Sequence, residues 1–136
     1  MFSYTHHLRI HYALTDKMGL VYYGNYAQFF EIARAEAIRH LGFTYKQLED
    51  LGILMPVADY HCRYLQGIGY DELIAITVQL KEWPIKKRIV FEGQIHNQAG
   101  KLCTTSMVTL FFVDAATQKL VNLPEPLEQV LAPYFN

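Results

Sequence analysis

The sequence has few cysteines, no excess of one charge and no long apolar run. Its two cysteines, Cys62 and Cys103, lie outside any CxxC spacing, which leaves no thiol cluster for zinc and fits a reducing compartment. Lysine and arginine (12) nearly balance aspartate and glutamate (13), so no strong field attracts nucleic acid or an anionic membrane. No stretch approaches the roughly 18 apolar residues that span a bilayer, and residues 1–12 lack a signal peptide's apolar run. We expect a soluble, cytoplasmic protein.

A metal site is not expected either. His7 and His11 are four residues apart, but they lie in a segment of alternating polar and apolar residues. In an extended segment this spacing does not bring two imidazoles to one ion, as it would on a helix. The two cysteines are expected to be small buried apolar residues.

The sequence does contain enough apolar residues for one sizeable core. Apolar side chains make up 51% of the chain and charged ones 18%, and no repeat or Pro/Gly/Ser-rich linker interrupts it. We therefore expect residues 1–136 to form a single domain.

A long helix is predicted over residues 25–41, with Gly42 ending it. Apolar side chains recur there at the spacing of one helical face: Tyr26, Phe30, Ala33, Ala37 and Leu41.

Two sequence signals mark helix starts. Asn25 with Gln28, and Thr44 with Gln47, both have the spacing of a capping box, and Gly52 would end the short second helix. The first signal would place the free backbone amides at residues 26–28.

The remaining segments alternate with a period of two and predict five strands: 5–12, 57–64, 74–81, 87–97 and 102–113. The strand at 57–64 should be half-buried, and the one at 102–113, apolar on both sides, should be central. A hairpin loop is expected at 97–100, and a short C-terminal helix from about Pro124.

One long helix and at least five antiparallel strands indicate an α+β fold in which the helix lies across the sheet. An open sheet has unpaired edges, and pairing two chains edge to edge would protect them. We therefore expect a homo-oligomer.

The segment between Tyr12 and Tyr26 is the most informative about function. Asp16 is a lone carboxylate seven to nine residues before the amides of Tyr23, Gly24 and Asn25. The start of a helix has unpaired N–H groups, and a glycine at position 19 allows the chain to fold back. A carboxylate facing such amides supplies a base or nucleophile and an oxyanion stabiliser, as acyl hydrolysis requires. On this spacing alone, a turn or capping role for Asp16 is the favoured interpretation.

This segment reads D-x-x-G-x-V-Y-Y-x-x-Y and is followed by F-x-E-x-A-R. It resembles the 4-hydroxybenzoyl-CoA thioesterase-like acyl-CoA thioesterases, and further similarity at Tyr64-Leu65 and at residues 70–73 extends it over nearly the whole chain. The matching residues are Asp16, Gly19, Val21, Tyr22, Tyr23 and Tyr26, then Phe29 or Phe30, Glu31, Ala33 and Arg34. The resemblance implies the hotdog fold, a long central helix wrapped by a five-stranded antiparallel sheet, assembled as a homodimer or homotetramer.

The resemblance also implies roles for individual residues. Asp16 would be the catalytic carboxylate, and the backbone N–H of Tyr23 would polarise the thioester carbonyl. Either a short turn precedes the main helix, or the cap at Asn25 is misassigned, because that cap would put the free amides later. The active site would lie at a dimer interface, with no metal and no cofactor other than the coenzyme A of the substrate.

Two groups of residues would contact substrate. Residues around the catalytic pair form the first: Gly19, Val21, Tyr22, Gly24 and Tyr26. Three cations at the start of the fourth strand, Lys86, Lys87 and Arg88, would hold the nucleotide of coenzyme A, although a solvated hairpin shoulder is an equal alternative. For the aromatic cluster at 22–30, core packing and contact with the acyl chain both remain open.

The expected activity is hydrolysis of an acyl-CoA thioester, in which Asp16 activates water or attacks the carbonyl. A hotdog dehydratase or hydratase is less favoured, because the helix offers Glu31 and Glu36 but no histidine before His40. A non-catalytic module that binds acyl-CoA or an aromatic ligand is the alternative from another class. The acyl group, and coenzyme A against acyl carrier protein as its carrier, stay open.

Overall fold

The computed structural model describes residues 1–136, and most of the chain's strands form one antiparallel sheet. These strands are β1 (Phe2–Arg9), β3 (Val57–Tyr64), β4 (Leu73–Leu80), β5 (Arg88–His96) and β6 (Leu102–Phe111). Their order across the sheet is β1-β4-β5-β6-β3. A separate ribbon pairs β2 (Ile53–Leu54) with β7 (Val113–Asp114). The five predicted strands are thus present, and the two-residue ribbon was not predicted.

One long helix, α1 (Tyr26–His40), packs against the sheet, and α2 (Tyr45–Asp50) and α3 (Glu125–Leu131) are short. The buried side chains of α1 are Tyr26, Phe29, Phe30, Ala33, Arg34, Ala37 and Ile38. The sheet contributes inward residues such as Ile76, Phe91 and Ile95 to the same core. The predicted α+β architecture, a long helix across a five-stranded antiparallel sheet, is confirmed.

The Phe30 ring of α1 packs directly against Gly93 of β5. A Cβ at this position would lie 2.5 Å from Ser106 Oγ and 2.6 Å from Phe30 Cδ1. Only a residue without a side chain fits between the strand and the aromatic ring, so the sheet can curve around α1 here.

The two predicted capping boxes have different outcomes. Thr44 and Gln47 form both reciprocal bonds at the start of α2, as predicted. The cap at Asn25 is wrong, because Asn25 has helical dihedral angles and lies inside a 3-10 turn at Tyr23–Asn25. Its side-chain amide instead donates to the carbonyl of Leu14 at 2.9 Å.

Two boundaries differ from the prediction. The first strand covers residues 2–9 instead of 5–12, and a 3-10 turn begins at Tyr12. The strand at 102–113 ends at Phe111, and the chain then enters β7. The predicted C-terminal helix is confirmed, with Pro124 as the N-cap of α3.

The largest correction concerns the edge strand β3. It was predicted to be half-buried, but every residue except the partly buried Cys62 is exposed. β3 pairs with β6 on one side only, so its other edge carries free backbone groups. β6 lies between β5 and β3, inside the sheet as predicted. No helix of the chain combines the length and hydropathy that crossing a membrane requires.

Candidate active site

Asp16 organises a tight turn between β1 and α1. Its Oδ1 accepts the backbone N–H groups of Met18 (2.8 Å) and Leu20 (3.4 Å), and the Gly19 N–H donates to the Asp16 carbonyl at 3.0 Å. Gly19 has φ +75°, a conformation that costs little only for glycine. The interpretation of Asp16 as a turn residue is therefore correct for Oδ1, while Oδ2 takes no part in these bonds.

This turn is held against the start of α1 by backbone bonds. Thr15 and Val21 form a β-bridge, and the Tyr22 N–H donates to the carbonyl of Leu14 at 2.9 Å. The Val21 N–H donates to Ile68 at 2.8 Å. The chain thereby folds back on itself, as the glycine at position 19 predicted, and brings Asp16 to the turn that opens the helix.

Free amides are found at Tyr23 and Gly24. In the 3-10 turn, the Asn25 N–H donates to the Tyr22 carbonyl at 2.9 Å, and the Tyr26 N–H donates to the Tyr23 carbonyl. Asn25 is thus the first residue whose N–H donates a bond within the turn, and the N–H groups of Tyr23 and Gly24 have no partner in it. Of the two positions that the sequence left open, the structure favours the earlier one: the amides of residues 23 and 24 are free in the turn, and that of Tyr26 is bonded.

Asp16 and Tyr23 line the same open cleft, whose volume is about 330 Å³. Its walls are mainly apolar and include Met18, Val21, Tyr26 and Tyr64. Hydrophobic walls with a single carboxylate and adjacent amide donors can hold an apolar acyl group beside a reactive carboxylate.

The remaining residues predicted around this site support the turn without lining the cleft. The Gly19 carbonyl accepts the Tyr70 N–H at 3.3 Å. The rings of Tyr22 and Tyr23 are 4.9 Å apart, and a Cβ on Gly24 would lie 2.5 Å from Tyr22 Cε2. The small size of Gly24 therefore leaves room for the Tyr22 ring.

The aromatic cluster divides into two groups. Phe29 and Phe30 are buried in the core, whereas Tyr22 and Tyr23 are exposed. Tyr26 is only 3% exposed and still lines the cleft, so it forms the inner wall. Burial raises the pKa of Tyr26 to about 12, and the phenol keeps its proton at neutral pH.

Tyr64 is a cleft residue whose place in the site the sequence did not reveal. Its hydroxyl donates to the Tyr23 carbonyl at 3.2 Å, and its ring packs edge-on against Tyr26 at 4.9 Å. Desolvation, followed by the neighbouring Cys62, raises the pKa of Tyr64 to about 12. The similarity at Tyr64-Leu65 was the available signal, but it carried no contact information.

Lys86, Lys87 and Arg88 do not join this cleft within one chain. They line a groove of about 250 Å³ at the start of β5, and both lysines have positive φ, 58° and 61°. Arg88 pairs with Phe111, beside the Val57 end of β3, whereas the Asp16 cleft is at the Tyr64 end. Along an eight-residue strand these ends are roughly 23 Å apart.

The structure contains no group of three or more histidine, cysteine, aspartate or glutamate side chains arranged to bind a metal ion. The polar groups of the residues that line the cleft include the Asp16 carboxylate, the Tyr23 amide and the phenols of Tyr23, Tyr26 and Tyr64.

Comparison with known proteins relates this geometry to a family. Residues 10–131 match the family model described as "Thioesterase-like superfamily". A Bacillus subtilis protein named "Putative acyl-CoA thioesterase YneP" is 32% identical over 85% of this chain and 83% of its own. The Escherichia coli O6:H1 "Acyl-CoA thioester hydrolase YbgC" is 27% identical over 88% of this chain and 89% of its own.

A solved structure gives the same result. The structure described as a DHNA-CoA thioesterase from Staphylococcus aureus is 34% identical to this chain, with a TM-score of 0.84. The match covers 99% of this chain and 85% of that one. The predictions of a hotdog fold and of a thioester hydrolase family are both confirmed. The chain belongs to the thioesterase-like superfamily.

Proposed function

We propose that this protein hydrolyses an acyl-CoA thioester to a free acid and coenzyme A. The observation that carries the proposal is that Asp16 and Tyr23, whose backbone amide makes no bond within the turn that opens α1, line one mainly apolar cleft. The names of the relatives, acyl-CoA thioesterase or thioester hydrolase, support this reaction class.

In the proposed mechanism the substrate carbonyl accepts the Tyr23 N–H. Asp16 Oδ2 either takes a proton from water, which attacks the carbonyl carbon, or attacks that carbon itself to form a mixed anhydride that water then opens. In both routes the C–S bond breaks and coenzyme A leaves as a thiolate. A thiol pKa of about 8.5 makes this leaving group good without an acid, so one carboxylate is sufficient.

The second part of the proposal is that two chains complete each cleft. The unpaired, exposed edge of β3 can add the β3 of a second copy, which would protect both edges. If the two strands pair antiparallel, the Tyr64 end of one lies beside the Val57 end of the other. The cations Lys86, Lys87 and Arg88 of the second copy would then approach the Asp16 cleft, where they can pair with the phosphates of coenzyme A.

The deciding experiment mixes the protein with a panel of aliphatic and aromatic acyl-CoAs and a thiol reagent. Wild type should release thiol, and Asp16→Asn should be slower by about 10²- to 10⁴-fold, the usual contribution of a general base. Asparagine retains an oxygen for the Met18 and Leu20 amides, so the turn should persist. Thermal unfolding of the variant provides the fold control.

Other outcomes identify the rival functions. Binding without thiol release would favour a ligand-binding module, and a change in enoyl absorbance without thiol release would indicate a hydratase. Unchanged turnover in Asp16→Asn would refute the assignment of the carboxylate. Sedimentation tests the second part of the proposal: a mass of one 15.8 kDa chain at micromolar concentration would exclude completion of the cleft by a second copy.

A further inference from the structure

A buried arginine has no carboxylate partner within its own chain. Arg34, on the inner side of α1, is only 5% exposed, and none of the chain's three ion pairs includes it. The guanidinium makes one hydrogen bond, from Nε to the Tyr45 hydroxyl at 3.1 Å. The Nη groups make no hydrogen bond within the chain and are not among its fully buried polar atoms, so they can bond to an anion that enters from solvent.

The guanidinium faces a pocket at the Val57 end of β3, away from the Asp16 cleft. The pocket has a volume of about 290 Å³ and lies between α1, α2 and the β2–β3 segment. Leu48, Ile53, Met55 and Leu110 contribute apolar walls. This volume lies at the lower limit of ligand pockets, about 300–1,000 Å³, so the occupant must be small.

Arg34 and Tyr45 together offer several hydrogen-bond donors to this pocket. With Nε bonded to Tyr45, the Nη groups remain available, and their planar arrangement matches the two oxygens of a carboxylate. The Tyr45 oxygen accepts from Arg34, so its own proton can be donated. Burial raises the pKa of Tyr45, which keeps that proton in place at neutral pH.

Two carboxylates, Glu31 and Glu49, line the same pocket from exposed positions. Neither lies within 4.0 Å of the Arg34 guanidinium. Their negative charge disfavours a dianion such as phosphate, whereas the apolar walls favour a ligand with a hydrocarbon part. We propose that this pocket binds a small organic monocarboxylate, with its carboxylate on Arg34 and Tyr45 and its apolar tail against the walls.

The proposed site does not depend on the catalytic proposal, because its test measures binding directly. The probes are butyrate and benzoate, with butyramide and benzamide as uncharged controls and chloride as a plain anion. Each is titrated into the full chain by calorimetry and followed by methyl NMR. Wild type should bind the acids and not the amides, with shifts at the methyl groups of Leu48 and Met55.

Variants separate a binding role from a structural one. Arg34→Gln should weaken acid binding by at least about tenfold, because hydrogen bonds to a charged group are lost. Tyr45→Phe removes only one hydroxyl and should weaken binding several-fold without unfolding the chain. Glu31→Gln should strengthen it. Arg39→Gln is the matched control, because Arg39 lies on the same helix with its side chain 62% exposed, and it should change nothing.

Three results would overturn the proposal. These are equal binding of acids and amides, unchanged binding in Tyr45→Phe with methyl shifts elsewhere, and no binding by wild type at millimolar acid. If wild type binds no acid and Arg34→Gln instead lowers the mass measured by sedimentation, the pocket receives a carboxylate of a second copy and the monocarboxylate site is refuted.

Discussion

The two ends of the edge strand β3 differ in charge and in what they offer a ligand. At the Tyr64 end, Asp16 and Tyr23 line a mainly apolar cleft. At the Val57 end lie the cations 86–88 and the buried Arg34. Under the proposed function, one end would attack the carbonyl of the substrate and the other would bind its phosphates.

This difference indicates how one small domain can act on a large, polyanionic substrate. Within one chain the two ends are roughly 23 Å apart. Antiparallel pairing of two β3 strands would bring the Asp16 cleft of one chain beside the cations 86–88 of the other. The following predictions test this, beginning with the largest effect.

Removing the cations of the Val57 end should impair binding and not chemistry. Replacement of Lys86, Lys87 and Arg88 by glutamine should raise KM for an acyl-CoA by about tenfold and leave kcat nearly unchanged, since several exposed ion pairs are each worth up to about 1 kcal/mol. Wild-type KM should also rise with salt more steeply than that of the variant. Lys101→Gln, at the far end of β5, is the control. A loss confined to kcat would contradict the assignment.

Mixing two defective chains should restore a complete cleft. Asp16→Asn retains the cations, and the triple glutamine variant retains Asp16. After exchange of subunits, half of the dimers are mixed and one of their two clefts is complete, so low-KM activity should return to about one quarter of wild type. Steady-state kinetics before and after mixing measures this recovery. No recovery, with exchange confirmed by mass spectrometry, would mean that the cations serve the cleft of their own chain.

The hydroxyl of Tyr64 should have a modest effect on turnover. Tyr64→Phe removes the bond to the Tyr23 carbonyl, which fixes the turn that carries the free amides, and kcat should fall by about two- to tenfold. KM should stay unchanged, because the ring at position 64 still packs on Tyr26. Tyr70→Phe is the control, because the Tyr70 hydroxyl makes no hydrogen bond. A rise in KM alone would assign Tyr64 to substrate contact.

The smallest effect concerns alkaline stability at the Tyr64 end. An unfolded tyrosine ionises near pH 10, whereas burial raises the pKa of Tyr26 to about 12. Between these values the unfolded chain binds fewer protons, so the free energy of unfolding falls as pH rises. Urea titrations should find this fall shallower in Tyr26→Phe than in wild type or in the exposed control Tyr12→Phe. If the free energy of unfolding fell equally with pH in Tyr26→Phe and in wild type, the raised pKa of Tyr26 would be refuted.

Much of the fold was predictable because its signals are local. The alternation at 73–80 and 88–96 reflects one buried face of a strand, and the Thr44–Gln47 cap is complete within four residues. The predicted cap at Asn25 was wrong because its side chain bonds elsewhere. Its amide donates to the carbonyl of Leu14, eleven residues earlier, and the capping-box pattern considers only residues three positions apart.

The candidate site was predictable in part. Asp16 and the amide of Tyr23 could be paired because only a short turn separates them along the chain. Tyr64 could not be placed, since its contact with Tyr23 spans 41 residues. Arg34 was visible as a motif residue, but its burial without a carboxylate depends on α2 and β2 packing over it.

The sequence by itself determined the order of strands and helices, the turn around Asp16 and the family, because each depends on side-chain periodicity or on residues close together in the chain. Only the tertiary structure decided that β3 is an exposed edge, that Asp16 and Lys86–Arg88 lie at opposite ends of it, and that Arg34 faces a pocket. These features depend on strand order, which is set by contacts between residues far apart in sequence, and no local pattern encodes them.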